Sequence, residues 1–456
     1  MSSSFEVDPH PGRPRVLFVG SAHSSHTHAW IDLLNGADFN VRLFTVPDGG
    51  CPPADWLVPT YLTGPSVPAE LDASLRQTLF PTPEENRRAL LRRALVHPLR
   101  AAHALASKTR TVGPRASTGT LAAGEPQAPH IPNLRPRAES AEEWLASVLR
   151  SWRPHIVHTL GLDPSGYFYL RVIKQMGRTR RGAWVLQLRG GSDLALARFD
   201  PEKSPVIAEA FRECDQVLTD NRQNFTYVCE LGGRPDQLAP INPVPGTGGV
   251  DVEALRRSWR GSTSSRRMIL WPKSYECPWS KALPVLEAIR TAWPAIQPCE
   301  IAALTMPPEV EMWLRSLPQE IQRAFQVFQG IPRPRVLELL AGSRVMLAPS
   351  LVDGVPNSLY EAMALGAFPV VSPLETIADV VRDEANVLFA RNLYPDEIAS
   401  ALVRAMNDDA LVERAAENNL ALVATIANRA LIAPQVIRFY AALAEGSNQP
   451  HEGQAP

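Results

Sequence analysis

The sequence predicts an α/β protein of two doubly wound, Rossmann-like domains facing each other across a cleft. Three observations carry that prediction. Short β-rich apolar runs alternate with longer helical patterns from end to end. The runs are continuously apolar, as parallel strands covered on both faces are. They also form two series, divided near Asn242–Gly249 (N-P-V-P-G-T-G-G). A chain of 456 residues is too long for one ordinary core, which agrees with two domains.

In the first series, Arg15–Val19 (R-V-L-F-V) closes at Gly20, and Val41–Val46, Ile156–Leu160, Trp184–Leu188 and Gln216–Thr219 follow. In the second come Met268–Trp271, Ile301–Leu304, Gln326–Phe328, Val345–Leu347 and Phe368–Ser372. The expected organisation is an N-terminal Rossmann-like domain over 1–245 and a C-terminal Rossmann-like domain over 246–428. A helix over 429–445 then packs back on the first domain, and a disordered tail covers 446–456. Residues 87–137 break the pattern, with ten Lys and Arg against the single acid Glu125, so this stretch carries +9. Its Pro-, Gly-, Ala- and Ser-rich second half reads as a flexible insertion. Its first part, 87–110, reads either as a solvated capping helix or as a basic amphipathic segment meeting an anionic membrane surface.

Composition excludes several classes. With 45% hydrophobic and 20% charged residues the chain is globular, and a net charge of −1 argues against a nucleic-acid binder. No apolar run approaches the roughly 18–20 residues of a membrane span, and the polar Met1–Arg15 gives no cleaved secretory signal. Five scattered cysteines without a C-x-x-C fit a reducing cytoplasm and no zinc site. Localisation is therefore expected to be cytoplasmic, with peripheral contact at the inner membrane face as the variant that 87–110 allows. No obligatory metal or cofactor is expected.

Val345–Ser372 (V-M-L-A-P-S-L-V-D-G-V-P-N-S-L-Y-E-A-M-A-L-G-A-F-P-V-V-S) is the most informative segment. A buried strand ends at Ala348, and Pro349 and Ser350 stop it. A helix starts near Pro356–Ser358 and runs to about Leu365, with Gly366 as its C-terminal cap. Asp353, Gly354, Asn357, Ser358 and Leu359 therefore lie at the carboxyl end of a parallel strand beside a helix N-terminus, where open α/β sheets bind ligands and where phosphate is favoured. Asp353 and Glu361, at i and i+8, bracket that anion site. Carboxylates so close to phosphate need other partners, and sugar hydroxyls supply them.

The run acid-Gly-x-Pro-x-x-x-x-Glu-Ala-Met-Ala-x-Gly-x-x-Pro-Val-Val resembles the signature of retaining glycosyltransferases with two Rossmann-like domains, family 4 above all. Further pieces recur in that family's order: Ile156–Gly161, Gly191-Ser192-Asp193, Gly249-Val250-Asp251, and Gln329-Gly330-Ile331-Pro332 as its nucleotide-base loop. His26-Thr27-His28-Ala29-Trp30 resembles a variant of its first helix. The resemblance implies a sugar-nucleotide donor and an acceptor that is a glycan, a lipid-linked sugar or a small molecule. Glu361 would hold the ribose hydroxyls, Asp353 a hydroxyl of the transferred sugar, and backbone amides near Asn357, Ser358 and Leu359 the donor. Gly330 and Ile331 would lie at the base. Lys273 and Lys281 occupy the region of the family's Arg and Lys, which neutralise the pyrophosphate. Lys281 is the firmer of the two assignments, because the spacing between them is longer than the family's.

Two positions depart from the pattern: Asp353 stands where the family has Glu, and Gly190 stands where many members have His. On the acceptor side the candidates are Ser21, His26 and Asp193, with a helix cap or surface histidine as the ordinary reading of His26 and a helix cap as that of Asp193. The chain's other possible activities are a sugar-nucleotide epimerase or phosphorylase on the same fold, or a non-catalytic sugar-nucleotide-binding partner.

Overall fold

The computed structural model describes residues 8, 10–53, 55–64, 133–134, 140–177, 182–190 and 192–447. Two fully parallel sheets organise it. The first contains β1 (Arg15–Gly20), β2 (Asn40–Thr45), β3 (Thr60–Leu62), β4 (Asn133–Leu134), β5 (Ile156–Leu160), β6 (Ala183–Gln187) and β7 (Gln216–Leu218), in the order β4-β3-β2-β1-β5-β6-β7. The second contains β8 (Met268–Trp271), β9 (Glu300–Leu304), β10 (Phe325–Phe328), β11 (Ser343–Ala348), β12 (Phe368–Val371) and β13 (Leu388–Phe389), in the order β10-β9-β8-β11-β12-β13.

In both sheets the chain reverses its direction of travel, between β1 and β5 and between β8 and β11. Such reversals open a crevice at the carboxyl ends of the strands. The continuous apolar runs follow from burial: every residue of β11 is buried, as is every residue of β5 and β12. Helices cover both faces, so no face is left for water and no alternation develops.

β3, β4 and β13 escaped the sequence reading, being only three, two and two residues long. β4 also corrects the insertion reading, since Asn133 and Leu134 pair with Tyr61 and Leu62 at the sheet edge. The rest of 87–137 and the tail from 448 lie outside the described residues.

Two strands of chain connect the halves side by side, with the Val250 N–H donating to Ala427 O at 2.8 Å and the Arg429 N–H to Val250 O at 2.9 Å. Past the second crossing, the helix Arg429–Ser447 lies against the first sheet. Ile432, Val436, Phe439 and Tyr440 join Val16, Phe18, Trp30 and Ile156 in one buried cluster. The Tyr440 hydroxyl accepts from Trp30 Nε1 at 3.0 Å and pairs closely with His158 Nδ1. Among the described residues, no helix is long and apolar enough to cross a membrane.

Candidate functional site

The site forms where β8 and β11 part. β11 ends at Ala348, and the Ser350 N–H donates to Ser372 Oγ at 3.0 Å. The loop that follows is tied down on two sides. The Leu351 N–H donates to Trp279 O at 2.8 Å, and Thr376 Oγ1 donates to Asp353 O at 2.8 Å. Pro356, still extended, leads into the helix Asn357–Ala364. That helix ends as the sequence indicates: Gly366 has φ of +74°, a conformation glycine adopts at little cost.

A crevice of about 690 Å³ opens above this junction. Lys273, Ile331, Asp353, Asn357, Ser358 and Glu361 line it from the C-terminal half, and His26 and Gly190 line it from the N-terminal half. Lys273 Nζ pairs closely with Asp353 and donates to Ser350 Oγ at 3.2 Å, bridging the ends of β8 and β11. Glu361 is buried and pairs with Arg333, whose Nε donates to its Oε1 at 3.1 Å. Burial pushes the Glu361 carboxyl up, and the Arg333 guanidinium pulls it back part of the way. Both acids therefore hold cations of their own chain, and these are the cations a diphosphate could draw away.

Four expected residues lie elsewhere. Lys281 is not among the lining residues: its Nζ pairs with Glu276 at 2.8 Å and its main chain is clasped by Asn392. The turn after β8 carries Lys273, not Lys281, to the end of β11. Leu359 is buried in the C-terminal core, and its N–H is taken by Pro356 O at 3.0 Å. Gly330, at φ +59°, turns the chain so that Ile331 faces the crevice, but does not line it. Gly354 is buried between the halves.

On the other side of the crevice, Ser21, His26 and Asp193 line an adjoining hollow of about 260 Å³ at the ends of β1 and β5. His26 borders both spaces. The residue is open to the crevice, yet crowding by surrounding protein, helped by Arg189 and Arg333, lowers its ring to about 4. It is neutral at physiological pH. Asp193 is buried, and burial raises it to about 6. Its Oδ2 accepts from the backbone N–H groups of Arg189 at 2.7 Å and Leu162 at 3.1 Å, so it shapes two loops.

Sequence reasoning missed Arg333, Tyr275, Trp279 and Thr247, all of which line the crevice. Arg333 had a signal: it directly follows Gln329–Pro332 and opens the next helix. Among the described residues, no three His, Cys, Asp or Glu side chains are grouped to hold a metal ion.

Residues 311–421, which include this junction, match the family model for glycosyl transferases group 1. No curated protein matches the chain. Among solved structures, this chain is similar to a glycosyltransferase from Rickettsia africae (11% identity, TM-score 0.59, covering 96% of this chain and 100% of that one). It is also similar to sucrose-phosphate synthase from Thermosynechococcus elongatus (14%, TM-score 0.63, 95% and 100%). HepE from Anabaena, solved with UDP and glucose, is a third (12%, TM-score 0.58, 94% and 99%). The architecture is the two-domain GT-B fold, and the matched family and this fold together support a glycosyltransferase enzyme.

Proposed function

We propose that this chain is a retaining glycosyltransferase of the family 4 type. It moves a sugar from a nucleoside-diphosphate donor, held by the C-terminal half, to an acceptor hydroxyl presented by the N-terminal half. One observation carries the reading. A single crevice brings together two carboxylates suited to hydroxyls, Asp353 and Glu361, two cations suited to a diphosphate, Lys273 and Arg333, and the N-terminus of the helix Asn357–Ala364. HepE, which shares the fold, is described with UDP and glucose bound. The acceptor class stays broad: a glycan, a lipid-linked sugar or a small molecule.

In the proposed reaction the bond from the anomeric carbon to the phosphate oxygen breaks, and its electron pair leaves with the phosphate. Lys273, Arg333 and the helix N-terminus meet the charge that develops there, so no obligatory metal enters the proposal. The acceptor oxygen attacks from the face the phosphate leaves, and its proton passes to the departing phosphate oxygen. Neutral His26 is placed to hydrogen-bond the acceptor without competing for that proton.

A thermal-shift screen across UDP-, GDP-, ADP- and dTDP-sugars tests the donor half of the proposal, because a ligand of the folded state raises the melting temperature. At least one donor should stabilise the protein and support transfer, with the anomeric configuration kept in an NMR assay. Inversion would overturn the mechanism, and indifference to every donor would overturn the function.

A further inference from the structure

The halves meet where the loop after β7 faces the loop after β11. Asp220, 5% exposed, comes from the N-terminal half. Its Oδ1 accepts from Asn221 Nδ2 at 2.6 Å, and the Gly190 backbone N–H donates to the same carboxyl. Its Oδ2 faces Gly354: a Cβ on that glycine would stand 2.4 Å from Oδ2 and 2.8 Å from the Gly190 Cα. No side chain fits there, so main chain of one half rests directly on a carboxyl of the other. The neighbouring residue is Asp353.

We propose that Asp220 is a positioning residue for the donor loop: protonated, its carboxyl seats Gly354 against the N-terminal half and so sets Asp353 in the crevice, and ionised, it releases that contact. The inference rests on the glycosyltransferase reading and adds to it a proton-dependent closure.

The surroundings explain why charge matters here. The groups facing Asp220 are Asp353 from the loop after β11, Tyr360 from the helix Asn357–Ala364 and Arg189 from the loop after β6; Arg222 and Asp379 line the same hollow. Burial is the largest influence and raises Asp220 to about 7; Asn221 and the Gly190 N–H oppose it, and the Asp353 charge adds to it. Once the halves part and water reaches the carboxyl, it returns toward the ordinary aspartate value of about 4. Closure therefore takes up a proton. The closed form is fully favoured below about pH 4, loses ground up to about pH 7 and loses no more above that.

Small-angle scattering from the full chain at about pH 5 and about pH 8 reads this directly. The wild-type radius of gyration should be larger at the higher pH. Asp220→Asn, which cannot ionise, should keep the low-pH value at both. Asp220→Ser, also without charge, replaces it if the asparagine variant does not fold. A wild-type radius that does not change, or an equal change in the uncharged variant, overturns the proposal.

With UDP-glucose as the probe donor, the wild-type KM should rise several-fold, on the order of 3–10, over the same interval while kcat moves less; Asp220→Asn should be flat. A matching KM rise in the variant counts against the proposal. The scattering result needs no turnover, so failure of every donor removes the glycosyltransferase reading while Asp220 is still judged by the radius.

Discussion

The Thr247 hydroxyl donates to Asn357 Oδ1 at 2.7 Å, which ties the crossing between the halves to the first residue of the helix under the crevice. Thr247 is buried, and it precedes the two glycines that lead into Val250. The helix N-terminus that would face a donor phosphate is thus oriented by the hinge segment.

Thr247→Val keeps the shape and removes the donor. A net hydrogen bond of about 1 kcal/mol corresponds to a loss of about 5-fold in donor affinity, with only a small change in melting temperature. Calorimetric titration with the donor from the screen measures it. Unchanged affinity would mean that the hinge does not orient the helix.

The two lysines make a sharper test. Lys273 sits with Asp353 in the crevice, whereas Lys281 pairs with Glu276 outside it. Removing a charge that stabilises a developing oxyanion costs about 10²–10³-fold in kcat, so Lys273→Ala should fall in that range. Lys281→Ala should stay within about 10-fold of wild type, as loss of a half-exposed ion pair does. Steady-state rates that reverse this order would return the phosphate contact to Lys281.

What was legible in the sequence follows from how local each feature is. The strands Ile156–Leu160 and Met268–Trp271 appear within the residues read from pattern alone, because burial on both faces makes a run apolar throughout. Asp353 and Glu361 announce themselves through the turn and helix that separate them. Arg333 and Thr247 were missed because their importance is a matter of distance in space: Arg333 reaches Glu361 across 28 positions of chain, and Thr247 reaches Asn357 across 110. The placement of the two lysines was hidden for the same reason. Spacing along the chain cannot say which of them the turn after β8 presents to the end of β11. Asp220 lies in no motif at all, and only the packing of Gly354 onto it marks it.

Glu361→Gln separates stability from binding. Glu361 is buried and its acid is raised by that burial, so its charge costs the fold something that the half-exposed Arg333 only partly offsets. A raised acid contributes most to stability at low pH and loses that contribution as pH rises through its folded value. The amide removes this dependence. At about pH 8 the variant should melt no lower than wild type, yet bind a nucleotide donor about 10–100-fold more weakly, having lost a charged acceptor for the ribose hydroxyls. Differential scanning fluorimetry and titration on the same preparations read the two effects. A parallel fall in both would make Glu361 a structural residue.

Tyr440→Phe tests how the last helix is held. The Tyr440 hydroxyl is buried between Trp30 Nε1, which donates to it at 3.0 Å, and His158 Nδ1. Burial keeps the phenol protonated and, with Arg189 adding to it, keeps the His158 ring neutral. Phenylalanine fills the same space but leaves an indole N–H and an imidazole nitrogen without their partner, beside a His158 Nε2 that already has none. One or two orphaned polar groups cost about 1–3 kcal/mol each. For a unit of this size that lowers the melting temperature by several degrees, on the order of 2–4 °C per kcal/mol. The crevice residues are not touched, so donor affinity below the transition should be preserved. A variant that melts with wild type would show that the hydroxyl is not needed to hold the helix to the first sheet beside Ile432, Val436 and Phe439.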